Sequence, residues 1–370
     1  MTRPPPIPVL LLTRQLSIGG TERQVTILAK SLDPDLFNVR ICCFRSGGIR
    51  QAELEAAGIP VWILPVRSFG SPKLLLHASL LFRYLVREKI AVVHSFSPAT
   101  TIVSVPIARL ARVPVVLSSC RADRSLMRPR DLRMVRVTDH WVDGIVANCE
   151  YLRQQLLLEK IPAELIRVCP NGVDLKKFKF DSATRPSLVG TVSVLRPEKD
   201  IGILIEAFAS LHGLHPTARL QIVGSGPLAE SLARQSMLCE LGDAIELRGS
   251  TDDVAEQFRK LRIFVLPSYS EGLSNSLLEA MACGCAVVAS RVGGSGEVIR
   301  HRENGMLFDV GNSSQLASIL KLLLSDEELC GRLGAAAAQT IQQRFSSSVA
   351  ATQLGEIYSA QLAASPRNKN

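Results

Sequence analysis

At 370 residues, with 46% hydrophobic and 5% aromatic side chains, the chain is long enough for two α/β domains that each bury a core. No apolar run reaches membrane-spanning length, and the nine cysteines show neither Cys-x-x-Cys nor a zinc spacing with histidine, which argues against an integral membrane protein and a zinc module. The formal charge of +9 is uneven: residues 1–180 hold 26 Lys and Arg against 14 Asp and Glu, and residues 181–370 hold 17 against 20, so the basic excess belongs to the first half.

The N-terminal apolar run over 7–12 is too brief for a signal sequence and lacks a small-residue cleavage site, so residues 9–12 read as a first strand. An odd cysteine count without such a signal predicts reduced, mostly buried thiols in the cytoplasm. The loop over 14–20 ends in Gly19-Gly20 and opens a helix that runs to about residue 32. Asp33-Pro34-Asp35 consists of turn formers and reads as a turn, with no metal expected. Strands over 39–44 and 60–64 alternate with helices over 49–57 and 72–88. A strand over 90–93 runs into His94-Ser95-Phe96-Ser97-Pro98. A helix over 100–112 and a strand over 115–118 precede six arginines in sixteen residues, from Arg121 and Arg124 to Arg136. One reading of these is a solvated helix with a basic face. The other is contact with an anionic membrane surface or a diphosphate-linked lipid acceptor. Aromatic platforms of the kind nucleic acids stack on are missing beside them, so no nucleic-acid partner is expected. A strand over 141–148, a helix over 151–159 and a strand over 166–168 close this half, and the polar, aperiodic stretch 176–186 is the boundary.

The second half opens with a strand over 188–194, followed by Arg196-Pro-Glu-Lys199 and a helix over 201–211. A strand over 219–223 leads into Gly224-Ser-Gly226-Pro227 and a helix over 228–238. The strand over 245–247 is followed by Arg248-Gly249, and a helix over 253–261 precedes a buried strand over 263–266. Behind that strand come loop residues 267–273 and the N-cap formers Ser274 and Asn275. A two-turn helix over 276–283, stopped by Gly284, then gives way to a strand over 285–289 and the glycine-rich loop 292–297. A parallel sheet binds ligands at the carboxyl ends of its strands, and the amides of Ser276 and Leu277 open a helix there, a ready place for phosphate. Glu271 precedes that helix and Glu279 lies about one turn inside it, so two carboxylates face one pocket from different depths, able to accept from sugar hydroxyls.

The spacing Glu271-x7-Glu279, with Gly293-Gly294 and Glu297 behind it, closely resembles the signature of family-4 retaining glycosyltransferases of the GT-B fold. The likeness covers nearly the whole chain. It implies two Rossmann-like, doubly wound parallel-sheet domains facing across a cleft, an acceptor-binding domain over 1–180 and a sugar-nucleotide domain over 186–347. A last helix over 348–365 is expected to cross back to the first domain, with 366–370 loose. By the same resemblance Gly19, Gly20 and Gly224 sit in loops that approach the donor, and Arg196 and Lys199 clamp its diphosphate. Arg248 lies where relatives hold the base, and Ser274, Asn275, Ser276 and Leu277 open the donor helix. Cations in those places make physical sense, since the departing diphosphate carries charge that must be stabilised. Glu279 is expected to hold the ribose and Glu271 the donor sugar. His94 matches the first histidine of the family's histidine-x-histidine and is a catalytic candidate with Glu271, Arg196 and Lys199, the other reading being a strand-end histidine packed against backbone, while Phe96 replaces the second histidine. Arg121 and Arg124 are acceptor candidates.

The expected activity is retaining transfer from a nucleotide sugar, UDP-linked by preference and GDP-linked otherwise, to a lipid-linked or polysaccharide acceptor in cell-surface glycan synthesis. No metal or other cofactor is expected. The location expected is cytoplasmic, with peripheral contact to the membrane through the basic half. The rival readings are a sugar-nucleotide 2-epimerase of the same architecture and a catalytically impaired nucleotide-binding protein.

Overall fold

The computed structural model describes residues 4–66, 68, 71–181 and 185–365. The tail 366–370 and residues 182–184 of the expected boundary stretch lie outside the described residues. The chain divides into two compact units, residues 1–172 with 347–370, and residues 173–346.

The first unit alternates strands and helices: β1 (Ile7–Thr13), α1 (Gly20–Ser31), β2 (Phe37–Cys43), α2 (Ile49–Ala56), β3 (Val61–Ile63), α3 (Lys73–Arg87), β4 (Val92–Ser95) and α4 (Pro98–Leu110). It continues through β5 (Val115–Cys120), α5 (Pro129–Asp139), β6 (Gly144–Ala147), α6 (Glu150–Leu158) and β7 (Ile166–Val168). The seven strands form one sheet in the order β3-β2-β1-β4-β5-β6-β7. All of its pairings are parallel. β1 is apolar on both faces, and Val9 to Leu12 have no exposed surface, as a parallel strand covered by helices on either side requires. Ser97 starts α4 with a capping box: its hydroxyl accepts from the Thr100 amide at 3.3 Å, and the Thr100 hydroxyl accepts from the Ser97 amide at 3.2 Å. Asp33 to Asp35 form a turn in which the Asp33 carboxylate accepts from the Asp35 amide at 2.9 Å.

The second unit contains β8 (Leu188–Val192), α7 (Ile201–His212), β9 (Arg219–Val223), α8 (Ala229–Leu238), β10 (Ile245–Arg248), α9 (Val254–Lys260) and β11 (Ile263–Leu266). α10 (Asn275–Ala282), β12 (Ala286–Ser290), α11 (Ser295–Val298), β13 (Met306–Phe308), α12 (Ser313–Ser325) and α13 (Glu327–Arg344) complete it. Its parallel six-stranded sheet has the order β10-β9-β8-β11-β12-β13. The core is mostly aliphatic, with Ile222, Val265 and Leu320 packed around the Phe208 and Phe308 rings, all fully buried.

The final helix, α14 (Ser347–Ala364), returns to the first unit. Ala350, Leu354, Tyr358 and Leu362 recur every four residues and join the core built on β1, β2 and β4. Gly355 makes the approach close, because a Cβ there would lie 3.0 Å from the Phe37 ring. Burying each large side chain of that stripe contributes roughly 1.5–3 kcal/mol, which fastens the end of the chain to its beginning.

Candidate active site

In both sheets the strand order reverses beside the first strand of the unit, between β1 and β4 and between β8 and β11. At such a reversal the connections leave in opposite directions and open a crevice outside the carboxyl ends of the strands.

In the second unit that crevice is bounded by the loop after β8 and the loop after β11, on neighbouring strands. The first loop folds into a tight turn over Pro197–Lys199. Asp200 follows it in the left-handed region at φ 46°, and burial holds its carboxyl above the usual range. The second loop is tied to the first by the Tyr269 amide, which donates to the Glu198 carbonyl at 3.0 Å. Lys199 Nζ donates to Glu271 Oε1, and the Ser268 hydroxyl donates to the same oxygen at 3.0 Å. The two side chains of this pair are 20% and 10% exposed, so solvent still reaches it. The Arg196 side chain is 60% exposed and 3.9 Å from Glu198, its nearest acid, which leaves its guanidinium available to an incoming anion. Two of the expected cations therefore stand at the mouth of one crevice, with Glu271 as the present partner of one of them.

Ser274 caps α10 by accepting from the Leu277 amide at 3.5 Å, and its hydroxyl lies 3.1 Å from that of Ser276. Asn275 and Ser276 are half-buried in this first turn, and Leu277 is fully buried. Glu279, one turn on, is only 2% exposed, against 10% for the Glu271 side chain. Gly293 is locked beneath them at φ +54°, where a Cβ would lie 2.1 Å from the Glu271 carbonyl oxygen, and the Gly294 amide donates to the Gly272 carbonyl at 2.9 Å. Gly224 and Gly226 serve packing of the same kind: Cβ atoms there would lie 1.8 Å from the Ser193 oxygen and 2.4 Å from the Leu195 oxygen. The Gly224 amide donates to the Arg248 carbonyl at 3.0 Å. The Arg248 side chain pairs with Glu246 at 2.9 Å at the end of β10, the outermost strand.

The first unit uses its expected residues differently. Gly19 caps α1 with an extended backbone, and a Cβ on it would lie 2.1 Å from a carboxylate oxygen of Glu22, so the space beside Gly19 is taken by that carboxylate; Gly20 opens the helix. The sequence reading ends the fourth strand at residue 93, but β4 runs to Ser95 and sets His94 between Leu11 and Leu117, inside the sheet. His94 has no exposed surface; its Nδ1 is 2.8 Å from the Tyr358 hydroxyl and its Nε2 2.8 Å from the Ser119 hydroxyl. Burial, helped by the charge of Arg121, pushes its pKa down to about 3. A neutral ring with both nitrogens engaged is not a catalytic base, and the expected catalytic role of His94 is corrected to a structural one. Phe96 packs against it with ring centroids 4.2 Å apart and the ring planes tilted by 34°.

Arg124 is corrected in the same way. Its guanidinium is buried and bonds Asp139 at 2.7 and 3.2 Å and Glu159 at 3.4 Å, so it ties the segment before α5 to the last residue of α5 and to the residue that ends α6. Arg121 is half-buried, bonds the Asn171 side chain and lies 5.6 Å from the centre of the Phe96 ring. Burial pushes its pKa down to about 10. The strand expected over 141–148 begins only at Gly144, leaving Trp141 47% exposed. Sequence reasoning passed over Gln24, whose amide grips the Gly172 backbone with two 2.9 Å bonds. The Asn171-Gly172 turn was the available signal for it. Among the described residues no three His, Cys, Asp or Glu side chains gather as metal ligands, and no helix is long and apolar enough to cross a membrane.

Two family patterns together match residues 18–340 of the chain: "Glycosyltransferase Family 4" over residues 18–177 and "Glycosyl transferases group 1" over residues 173–340. A Mycobacterium tuberculosis protein named GDP-mannose-dependent alpha-(1-6)-phosphatidylinositol monomannoside mannosyltransferase is 28% identical over 262 residues, 65% of this chain and 68% of its own. An Escherichia coli protein named UDP-Gal:alpha-D-GlcNAc-diphosphoundecaprenol alpha-1,3-galactosyltransferase is 25% identical over 348 residues, 84% of this chain and 86% of its own. Among solved structures, Anabaena HepE in complex with UDP and glucose superposes with a TM-score of 0.85 at 23% identity, covering 96% of this chain and all of that one. The two-sheet architecture is thus that of GT-B glycosyltransferases.

Proposed function

The chain belongs to glycosyltransferase family 4, and from that premise we propose that it moves a sugar, with retention at the anomeric carbon, from a nucleotide diphosphate sugar to a lipid-linked glycan. The observation that carries this reading is the Lys199–Glu271 pair at the reversal of the second sheet. An ammonium held by a solvent-reachable carboxylate is ready to exchange partners. As the donor enters, Lys199 passes from Glu271 to the diphosphate, and Arg196 approaches the same charge with its planar fork. Glu271, released, accepts from hydroxyls of the donor sugar, and the deeper Glu279 accepts from the ribose. The amides that open α10 add the partial positive charge of a helix start.

In the transfer step the acceptor oxygen bonds to the anomeric carbon as the bond from that carbon to the diphosphate oxygen breaks. The electron pair leaves with the nucleoside diphosphate, whose charge Arg196 and Lys199 neutralise. The acceptor proton passes to the departing phosphate oxygen, in keeping with a His94 that has no nitrogen to offer. We assign no metal a part in this step. UDP is the preferred nucleotide, supported by the fold shared with a structure solved with UDP, and GDP is the alternative raised by the mannosyltransferase likeness. The names of two relatives, one acting on a phosphatidylinositol glycan and one on a diphosphoundecaprenol glycan, support a lipid-anchored acceptor and a part in building cell-surface glycans. Arg121 is the remaining acceptor-side cation.

Titration calorimetry of the full chain with UDP, GDP and ADP, with and without magnesium, tests the donor site. The expected result is one nucleotide bound tightly without magnesium, and bound more weakly by Lys199→Ala. Binding that needs magnesium, or that ignores Lys199, overturns the assignment. Conversion of the donor to a different sugar nucleotide without an acceptor would instead identify an epimerase.

A further inference from the structure

We propose that the outward face of α3 docks onto an anionic lipid bilayer. α3 holds to the first unit through Leu81 and Leu85, which are buried. On its other side Leu75 is 79% exposed, Leu76 58% and Val86 52%, with Leu80 and Phe82 also open to solvent. One exposed leucine is ordinary, but five large apolar side chains on one helix of 15 residues form a patch that soluble surfaces avoid. At about 100° per residue, Leu75, Phe82 and Val86 make one stripe and Arg83, Arg87 and Lys73 an adjacent one, with Leu76 and Leu80 among the cations.

The charge selects the occupant. α3 contains no Asp or Glu. The acid that follows it, Glu88, is already engaged by Arg40 and Arg87. Beside the helix, Trp62 stacks on Tyr84 with ring centroids 4.4 Å apart, and with Leu80 and Phe82 they line an open depression of about 530 Å³. Apolar side chains, amphipathic rings and cations on one face, with the one neighbouring acid already paired to Arg40 and Arg87, are what a helix lying in the headgroup plane presents, the cations meeting anionic lipid. An acidic protein partner would use the cations and leave the leucines wet. α4 packs against both α3 and α5, which carries the exposed Arg130 and Arg133, so the flanking surface is basic as well. Helices of a parallel sheet run opposite to its strands, so the first turn of α3, with Leu75 and Leu76, lies toward the carboxyl ends of the strands. This deepens the lipid-linked acceptor reading but fails separately from it, because docking requires no sugar transfer.

The test is co-sedimentation of the full chain with vesicles of phosphatidylcholine alone and of phosphatidylcholine mixed with phosphatidylglycerol. Binding to the mixed vesicles is expected, weakening as salt is raised and falling about tenfold both in Leu75→Glu/Phe82→Glu and in Arg83→Glu/Arg87→Glu. Leu75→Ser and Arg83→Gln are the milder variants to use if either pair fails to fold, which circular dichroism reports. Nucleotide titration should be unchanged in all of them, and it separates this proposal from the donor site. Equal sedimentation of parent and variants, no preference for anionic vesicles, or a dimer in solution abolished by Leu75→Glu/Phe82→Glu would each overturn the proposal.

Discussion

At the end of the second sheet Lys199 meets Glu271 where solvent still reaches both side chains. In the first unit Arg124 meets Asp139 with side chains only 5% and 2% exposed, and His94 is enclosed entirely. The winding is the same and the residue types are similar, but burial assigns them opposite duties. A pair that water reaches can trade partners with a ligand at little cost, whereas a pair sealed from water is bound to its fold because neither charge tolerates isolation. The largest contrast should therefore appear in stability. Arg124→Ala strands the Asp139 carboxylate inside the first unit and should cost about 3–5 kcal/mol, read from urea unfolding, with Lys199→Ala costing under about 1 kcal/mol. Similar losses from the two substitutions would erase the distinction.

Activity should invert that order. Lys199→Ala removes the charge proposed to meet the departing diphosphate, and removing one such group costs about 10²–10³ in kcat, measured by nucleotide release. Glu271→Gln keeps the shape of the pair but not its charge, and should lower turnover with little change in Tm. Arg124→Lys, if folded, should keep most of the parent rate. A rate loss in Arg124→Lys as large as that in Lys199→Ala would return Arg124 to the site.

The second sheet was the easier one to read. Its strands are short apolar runs closed by glycine, serine and proline, so the loops that follow them were easy to mark, and the family likeness of those loops singled out Arg196, Lys199, Glu271 and Glu279. In the first sheet, hydrophobicity drops at His94 and a strand reading stops there, but backbone pairing with β1 and β5 carries β4 on to Ser95, and the buried His94 ring is satisfied by Tyr358 and Ser119. Tyr358 is 264 residues away, and no local pattern announces it. Arg124 misled for a related reason: six arginines look like one surface, although burial takes Arg124 and half-buries Arg121, leaving the last four exposed. Periodicity reports which side of an element faces the core but not which charges meet across it.

His94 gives the comparison a pH axis. Its folded pKa of about 3 lies below the unfolded value near 6.5, so the unfolded chain binds the extra proton. Stability from the buried neutral ring is complete above about pH 6.5 and is lost progressively as pH falls toward 3, by an amount on the order of a few kcal/mol. Unfolding free energies measured from pH 8 down to 4 should show this slope in the parent and a flatter one in His94→Gln. A turnover profile governed by a group near pH 6.5 that disappears in His94→Gln would contradict the structural assignment.

The smallest effect concerns a feature the two units share. The loop after β1 is backed by Gly48 at φ +107°, where a Cβ would lie 2.3 Å from the Leu16 oxygen; the loop after β8 is backed by Gly224 at φ +144°, where a Cβ would lie 1.8 Å from the Ser193 oxygen. Each glycine lets a neighbouring segment press on the loop that leaves the first strand. The site loops are thus stiffened from behind in both units, whatever their front side chains do. Alanine at either position meets a backbone oxygen in a conformation that L-residues avoid and should cost about 1–3 kcal/mol. Gly249→Ala, with open space around it and an ordinary φ, should leave Tm unchanged. If Gly224→Ala kept its stability and lost only donor affinity, the glycine would be serving the ligand directly, and the rigid loop on which Lys199 depends would need another support.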